Sequence, residues 1–345
     1  MQIAEMKRTR IVFRADGDTN MGIGHIIRSL ALADMLNSDF EVCFATSNQS
    51  GFIDNEILKV SAQKIKVVSE AEFLHNILVS DIVVVDGYHF TTEYLHAVRK
   101  KAGALVCIDD VPSKYFPADL IINHSPYAKR EDYKTPTNTK FLLGWDYALL
   151  RRPFLEAAKS SKPRLTAKTL MVCMGGTDPY NLTSPFVQAA IKLRLFDQIT
   201  VILPENSDID SYVSNSKLVT VYKNVSAQEM ATIMLANDVL ISPASSVSIE
   251  GLATRMNLIT MYYAENQRKL YEYITRNCLG FGILIDQPLD LSICMQELEK
   301  HQASFSSVKK SEVMIDGLQA SRFLKTFKEL ESQSERIKQC EKIKT

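Results

Sequence analysis

The chain has no CxxC pair, and its six cysteines (Cys43, Cys107, Cys173, Cys278, Cys294, Cys340) are widely spaced. That spacing argues against a zinc site and against a disulfide framework. Cys43, Cys107 and Cys173 lie in apolar, strand-like runs, where a free thiol packs as a small hydrophobe. Neither sign of charge is in excess: 40 basic and 40 acidic side chains cancel. The balance gives no electrostatic reason to expect a nucleic-acid partner or an anionic membrane surface. No apolar run approaches the roughly 18 residues that a membrane-spanning helix needs. The longest, around Ile77–Val85, is broken by Ser80 and Asp81. The opening MQIAEMKRTR lacks the apolar segment of a secretory signal. These absences predict a soluble, unexported, cytoplasmic chain with no membrane and no nucleic acid among its partners.

What is present is ordinary globular material, 46% hydrophobic and 23% charged, in a length of 345 residues that suits about two domains. Short β-branched runs alternate with longer amphipathic stretches, the rhythm of βα units on a parallel sheet. Strands are expected at Thr9–Arg14, Phe40–Thr46, Lys64–Val68, Ile82–Asp86, Leu105–Asp109 and Leu120–Asn123, with helices such as His25–Leu36 and Thr91–Ala102 between them. The polar stretch Glu156–Lys168, with Pro163 inside it, reads as a linker. The rhythm then restarts at Thr169–Cys173, Gln198–Leu203, Val219–Tyr222, Val239–Ser242 and Leu258–Tyr262. Two such arrays predict an α/β protein of two Rossmann-like domains with a cleft between them, over residues 1–158 and 165–330, followed by a charged helical tail at 331–345.

Three stretches carry candidate chemistry. The first, RADGDTNMGIGHIIR at 14–28, follows a strand and opens a helix, with Gly22 and Gly24 just before His25. Two glycines allow a tight turn, and the N–H groups at a helix start favour an anion or an electron-rich oxygen. A capped turn with an incidental histidine is the plainer reading. A dinucleotide site is excluded, since Ile27 stands where GxGxxG needs glycine. The second stretch, MVCMGGTDPYN at 171–181, runs a strand into Gly175-Gly176 and then Thr177, a residue of the N-cap type. It suits a diphosphate cradled on backbone N–H groups, or simply a tight turn. It lacks the GK[ST] of a nucleoside-triphosphatase loop. The third, LISPASSVSIE at 240–250, ends a strand in a small-residue turn where Ser245 and Ser246 can cap a helix or bond a phosphate. Glu250, one turn on, is placed for ribose hydroxyls or as a favourable dipole partner. Asp86-Gly87-Tyr88-His89 and Asp109-Asp110 end two further strands, either as site carboxylates or as caps, and Ala264-Glu265-Asn266-Gln267 supplies two neutral amides at another strand-to-helix junction.

In this order and spacing the segments resemble the UDP-sugar hydrolases of the pseudaminic acid pathway, over about residues 9–285. The matching stretches are FRADGDTNMGIGHIIR at 13–28, DGYH at 86–89, IDD at 108–110, NHSPYAKREDY at 123–133, GWDYALLR at 144–151, CMGGTDPYN at 173–181, ISPASSVSIE at 241–250 and ENQ at 265–267. The resemblance implies the GT-B fold, kinship with the glycosyltransferase that makes lipid II, and removal of UDP from UDP-2,4-diacetamido-2,4,6-trideoxy-β-L-altropyranose. It implies His25 as the catalytic group at the anomeric carbon, with Arg14, Asp16, Gly22, Gly24, Tyr88, Asp110, Asn266 and Gln267 as candidates on the sugar side. Met174, Gly175, Gly176, Thr177, Ser245, Ser246 and Glu250 are the candidates for holding UDP. Gly87 stands where the pattern often has histidine, so a second histidine is absent or replaced by His89. The expected reaction needs no cofactor and no metal: water attacks with inversion, His25 takes its proton, and helix N-termini after Gly176 and before Val247 stabilise the leaving UDP. A monomer suffices for it. Two other readings are a glycosyltransferase on the same fold and a nucleotide-sugar binding protein without turnover.

Overall fold

Near-continuous runs such as Ile82-Val83-Val84-Val85 can be buried on both faces only inside a parallel sheet covered by helices. The computed structural model describes residues 8–17, 24–47, 51–60, 63–67, 69–175, 178–204, 207–284, 290–302 and 315–342, without the side chains of Phe52 and of 333–342. It divides the chain into two α/β units, one of residues 1–152 with 318–345 and one of residues 153–317.

In the first unit the order is β1 (Arg10–Ala15), α1 (Gly24–Leu36), β2 (Glu41–Thr46), α2 (Gly51–Val60), β3 (Gln63–Lys66), α3 (Glu70–His75), β4 (Ile82–Asp86), α4 (Thr92–Lys101), β5 (Ala104–Ile108), β6 (Leu120–Asn123) and β7 (Lys140–Leu143). The sheet order is β3-β2-β1-β4-β5-β6-β7, and every described pairing is parallel. Strand order therefore reverses between β1 and β4, the topological switch point beside which open α/β sheets bind ligands. Ala15 pairs with Asp86 at that edge. Local chemistry supports the helices: the Thr91 hydroxyl accepts from the Tyr94 N–H at the start of α4, and Arg99, Lys100 and Lys101 complement the dipole at its end.

The second unit repeats the plan with α5 (Arg152–Ser160, entering from the first unit), β8 (Thr169–Cys173), α6 (Thr183–Leu193), β9 (Gln198–Leu203), α7 (Ser211–Ser214), β10 (Val219–Lys223), α8 (Ala227–Ala236), β11 (Val239–Pro243), α9 (Ser246–Ala253), β12 (Asn257–Met261), α10 (Glu265–Arg276), β13 (Phe281–Gly282) and α11 (Leu291–Gln302). Its order, β10-β9-β8-β11-β12-β13, places the switch point between β8 and β11. The core here gathers Phe186, Val187 and Ala190 of α6 with β-strand residues Val172, Val201 and Ile241 and with Cys294 and Leu298 of α11.

The structure departs from the sequence reading in three places. The expected linker at 156–168 begins inside α5, where Ala157 and Ala158 are buried; only 161–168 lack helix or strand. The unit boundary accordingly falls at Arg152/Pro153. The last helix, α12 (Gln319–Lys342), belongs with the first unit and not the second. Its apolar face explains why: Phe323 and Phe327 are fully buried, Phe323 edge-on to Tyr147 and Phe327 edge-on to Phe40. Gln319 donates to the Trp145 carbonyl at 3.0 Å, and Lys328 pairs with Asp39. Finally, β7 and β13 had no sequence signal, being short and partly polar or glycine-containing; Val68, assigned to the third strand, lies outside the described residues. Among the described residues no helix is long and apolar enough to cross a membrane.

Candidate functional site

In α1, GHIIRSLALADML, the polar residues His25, Arg28 and Ser29 recur at i, i+3 and i+4 and so share one face of the helix. That face meets the carboxyl end of β4. His25 Nδ1 lies 2.7 Å from Asp86 Oδ1; Arg28 Nε donates to Asp86 Oδ2 at 2.7 Å and Arg28 Nη2 to Oδ1 at 2.5 Å; the Ser29 hydroxyl donates to Oδ2 at 3.1 Å. Arg28 also donates from Nη1 to Asp110 Oδ2 at 2.9 Å, and the Tyr88 hydroxyl donates to Asp110 Oδ1 at 2.5 Å. Tyr88 in turn packs edge-on against the His25 ring, centroids 4.5 Å apart. Three of the residues expected on the sugar side, His25, Tyr88 and Asp110, are thus brought into one cluster.

The electrostatics follow from these contacts. Burial works to raise the Asp86 carboxyl, but Arg28 and His25 outweigh it and hold it below the usual range. Asp110 is likewise held down against its burial, by Arg28 and the Tyr88 hydroxyl. Burial and the neighbouring Asp110 charge push the Tyr88 phenol up, so it stays a hydrogen-bond donor. Arg28 Nη2 also lies 2.9 Å from His25 Nδ1, but the ionised carboxylate, which only accepts, is nearer at 2.7 Å, so Asp86 takes the Nδ1 proton and Nε2 keeps its lone pair. Nε2 has no hydrogen-bond partner among the described residues.

Arg14 and Asp16 stand elsewhere at the same edge, as a buried pair at 2.6 Å. The Arg14 guanidinium lies over the Phe90 ring at 4.8 Å. Asp16 Oδ1 accepts from the Ser47 N–H at 2.8 Å and its hydroxyl at 2.7 Å, and Oδ2 faces His89 Nε2 at 3.2 Å. Despite burial, His89 and Arg14 hold Asp16 far below the usual carboxylate range. Gly24 opens α1 and is exposed, whereas Gly22 lies outside the described residues.

Sequence reasoning left Arg28 and His124 without a role, and Asp86 and Asp109 undecided between site and cap. The i, i+3, i+4 pattern of His25, Arg28 and Ser29 was a usable signal for Arg28; nothing in the sequence marked His124. His124 Nδ1 accepts the Leu149 N–H at 3.3 Å, and burial together with Arg28 lowers its pKa to about 4, so it is a neutral ring. Burial and the adjacent Asp110 raise Asp109 to about 6.

In the second unit, Val172 and Ile241 pair in register, so the turns after β8 and β11 leave the sheet side by side at its switch point. Gly175 takes the left-handed backbone conformation, φ 84°, with nothing within 4 Å of where a Cβ would stand. Met174 is buried and its carbonyl accepts from the Tyr263 hydroxyl at 3.1 Å. Gly176 and Thr177 lie outside the described residues. The helix expected right after them starts only at Thr183, and its first N–H groups already have an anion: Asp178 accepts from Leu182 N and Thr183 N at 2.8 and 3.0 Å. Asp178 thus caps the start of α6. α9 differs. Ser245 is its N-cap residue, its N–H donates to the Ser248 hydroxyl at 3.1 Å, and Ser246 at the first position is exposed. Glu250 is buried one turn further on. Asn266 is exposed at the start of α10, while Gln267 Oε1 accepts the Tyr263 N–H at 3.2 Å and so helps cap its own helix. Among the described residues no three His, Cys, Asp or Glu side chains are grouped to hold a metal ion.

No family model matches the chain. It is 24% identical over 281 residues to the UDP-2,4-diacetamido-2,4,6-trideoxy-β-L-altropyranose hydrolase of Campylobacter jejuni, covering 77% of this chain and 96% of that protein. The resemblance read from the motifs is a measured one. An uncharacterised protein of Methanocaldococcus jannaschii is 26% identical over 281 residues, and the chain, of which 76% is covered, spans 57% of its length. Among solved structures, MurG of Acinetobacter baumannii aligns with a TM-score of 0.60 at 11% identity, over 93% of this chain and 99% of that one. With two parallel-sheet α/β units, the chain has a GT-B-like fold.

Proposed function

We propose that this chain acts in a nucleotide-sugar pathway as a hydrolase, cleaving UDP from a UDP-linked 2,4-diacetamido-2,4,6-trideoxy sugar by attack of water at the anomeric carbon. The observation that carries the reading is the 2.7 Å contact between His25 Nδ1 and Asp86, which leaves Nε2 as a base beside a switch point. His25 removes the proton of the attacking water, help that typically contributes about 10²–10⁴-fold. Attack comes from the face opposite UDP, the C1–O bond breaks with its electrons going to the diphosphate, and the product anomer is inverted.

Charge favours this division of labour. At the first unit's edge Arg14 and Arg28 face three carboxylates held ionised, Asp16, Asp86 and Asp110. With Lys114 also held at this edge, on the Tyr88 and Phe90 carbonyls, the charges there pair off with one another, which suits an uncharged sugar rather than a diphosphate. In the second unit the Gly175 turn and the first N–H groups of α9, with Ser245 and Ser246, offer donors of the kind that bind phosphate, and Glu250 is the candidate for the ribose hydroxyls. Those backbone dipoles take up the charge of leaving UDP, so the reaction is proposed to proceed without a metal.

The test is hydrolysis of the Campylobacter enzyme's substrate in ¹⁸O-water, with EDTA and no acceptor. The label is expected on the sugar, not on UDP. Label on the phosphate would place the cleavage at phosphorus and remove His25 from C1. Turnover only with an added acceptor would make the chain a glycosyltransferase, and tight UDP-sugar binding with no turnover a binding protein.

A further inference from the structure

We propose that His89 is a specificity-determining residue of the first unit's edge, taking a hydrogen bond at Nδ1 from a donor group on the sugar, and that the missing side chain of Gly87 is what admits it there. The proposal rests on the sugar-side reading given above and deepens it.

Two carboxylates leave the sheet on the two strands that flank the switch point: Asp86 ends β4, and Asp16 follows Ala15, its register partner on β1. Each holds one histidine, His25 at 2.7 Å and His89 at 3.2 Å. Asp16 is a fixed anchor, since Arg14 and both donors of Ser47 hold it in place. Being ionised it only accepts, so the His89 proton sits on Nε2 and Nδ1 carries a lone pair. Nδ1 has no hydrogen-bond partner among the described residues, and 38% of the side chain is exposed.

The ring reaches Asp16 by folding back over Gly87. A Cβ at position 87 would stand 2.9 Å from His89 Cε1, 3.1 Å from Nδ1 and 2.9 Å from Phe90 Cε2. Phe90 cannot yield, because it is buried in the core and carries the His89 ring at 3.9 Å. Any side chain at 87 would therefore turn the imidazole away from its anchor. One loop, Gly87–Phe90, so sends Tyr88 to Asp110 on one side and His89 to Asp16 on the other. A lone-pair acceptor selects a hydroxyl or acylamino N–H and gives nothing to a carbonyl or phosphate oxygen.

The experiment measures binding of UDP and of UDP-2,4-diacetamido-2,4,6-trideoxy-β-L-altropyranose by calorimetry, alongside turnover, for the parent chain, His89→Phe, His89→Gln and Gly87→Ala. His89→Phe and Gly87→Ala are each expected to weaken the sugar nucleotide about tenfold, one hydrogen bond's worth, with UDP affinity unchanged. His89→Gln, which keeps an acceptor, recovers part of the loss. Equal weakening of UDP, or no weakening of the sugar nucleotide, overturns the role of His89, and loss with His89→Phe but not Gly87→Ala overturns that of Gly87. If the parent chain binds without turnover, the hydrolase reading fails while the His89 contrast is still read from affinity; no binding at all overturns both.

Discussion

Asp86 Oδ1 sits 2.7 Å from Nδ1 of His25 and 2.5 Å from Nη2 of Arg28, so one buried carboxylate both orients the candidate base and neutralises the cation beside it. Removing either role has separate consequences. His25→Asn is expected to lower kcat by about 10²–10⁴-fold with UDP affinity unchanged, as steady-state kinetics and calorimetry will read. Asp86→Asn is expected to cost activity and, by leaving Arg28 with only part of its charge compensated, about 3–5 kcal/mol of stability in denaturant unfolding. Unchanged stability in Asp86→Asn would contradict the buried pairing.

The acid side of the stability profile has two opposed contributions. His124 titrates near 4 in the fold against an ordinary 6.5. The unfolded chain therefore binds the extra proton as pH falls from 6.5 to 4, and stability drops across that window by on the order of 3 kcal/mol. Asp109 is the reverse: raised from 3.8 to about 6, it contributes stability that is present below 3.8 and lost as pH rises through 6. His124→Gln should flatten the acid limb, and Asp109→Asn should stabilise the chain at pH 7–8. Urea unfolding at pH 4.5, 5.5 and 7.5 checks both signs.

Gly175→Ala tests the second unit. Nothing crowds its Cβ, so the cost arises from φ 84° alone, about 1–2 kcal/mol. If the backbone relaxes to avoid it, its N–H turns away from the ligand, and UDP affinity falls at least about tenfold. Retained UDP affinity would remove this turn from the diphosphate site.

Phe327→Ala tests the attachment of α12 to the first unit. The buried ring against Phe40 predicts a loss of about 3–5 kcal/mol, with UDP affinity unchanged because the nucleotide is assigned to the second unit.

Much of the fold was legible because its strands are continuous β-branched runs, and both sets of βα units announced themselves through that pattern. The first part of α12 was placed with the second unit, and its end read as a separate tail, because a helix's apolar stripe, here Phe323 and Phe327, says that it packs but not on what. Within the site, His25, Tyr88 and Asp110 could be named from their places at strand ends and a helix start. Arg28 was passed over inside an apolar helix, Asp109 was left between site and cap, and the burial that shifts Asp109 and His124 is something no local sequence pattern reports. The Gly175–Thr177 stretch suggested a helix at once; the intervening Asp178 cap postponed it to Thr183.

The measurement that bears most directly on the central claim is proton NMR of the purified chain with UDP-2,4-diacetamido-2,4,6-trideoxy-β-L-altropyranose, without metal or acceptor. The account predicts free UDP and free diacetamido sugar in equal amounts, the sugar appearing first as the inverted anomer before it mutarotates. An unchanged spectrum, or a first-formed anomer that retains the substrate's configuration, would contradict it.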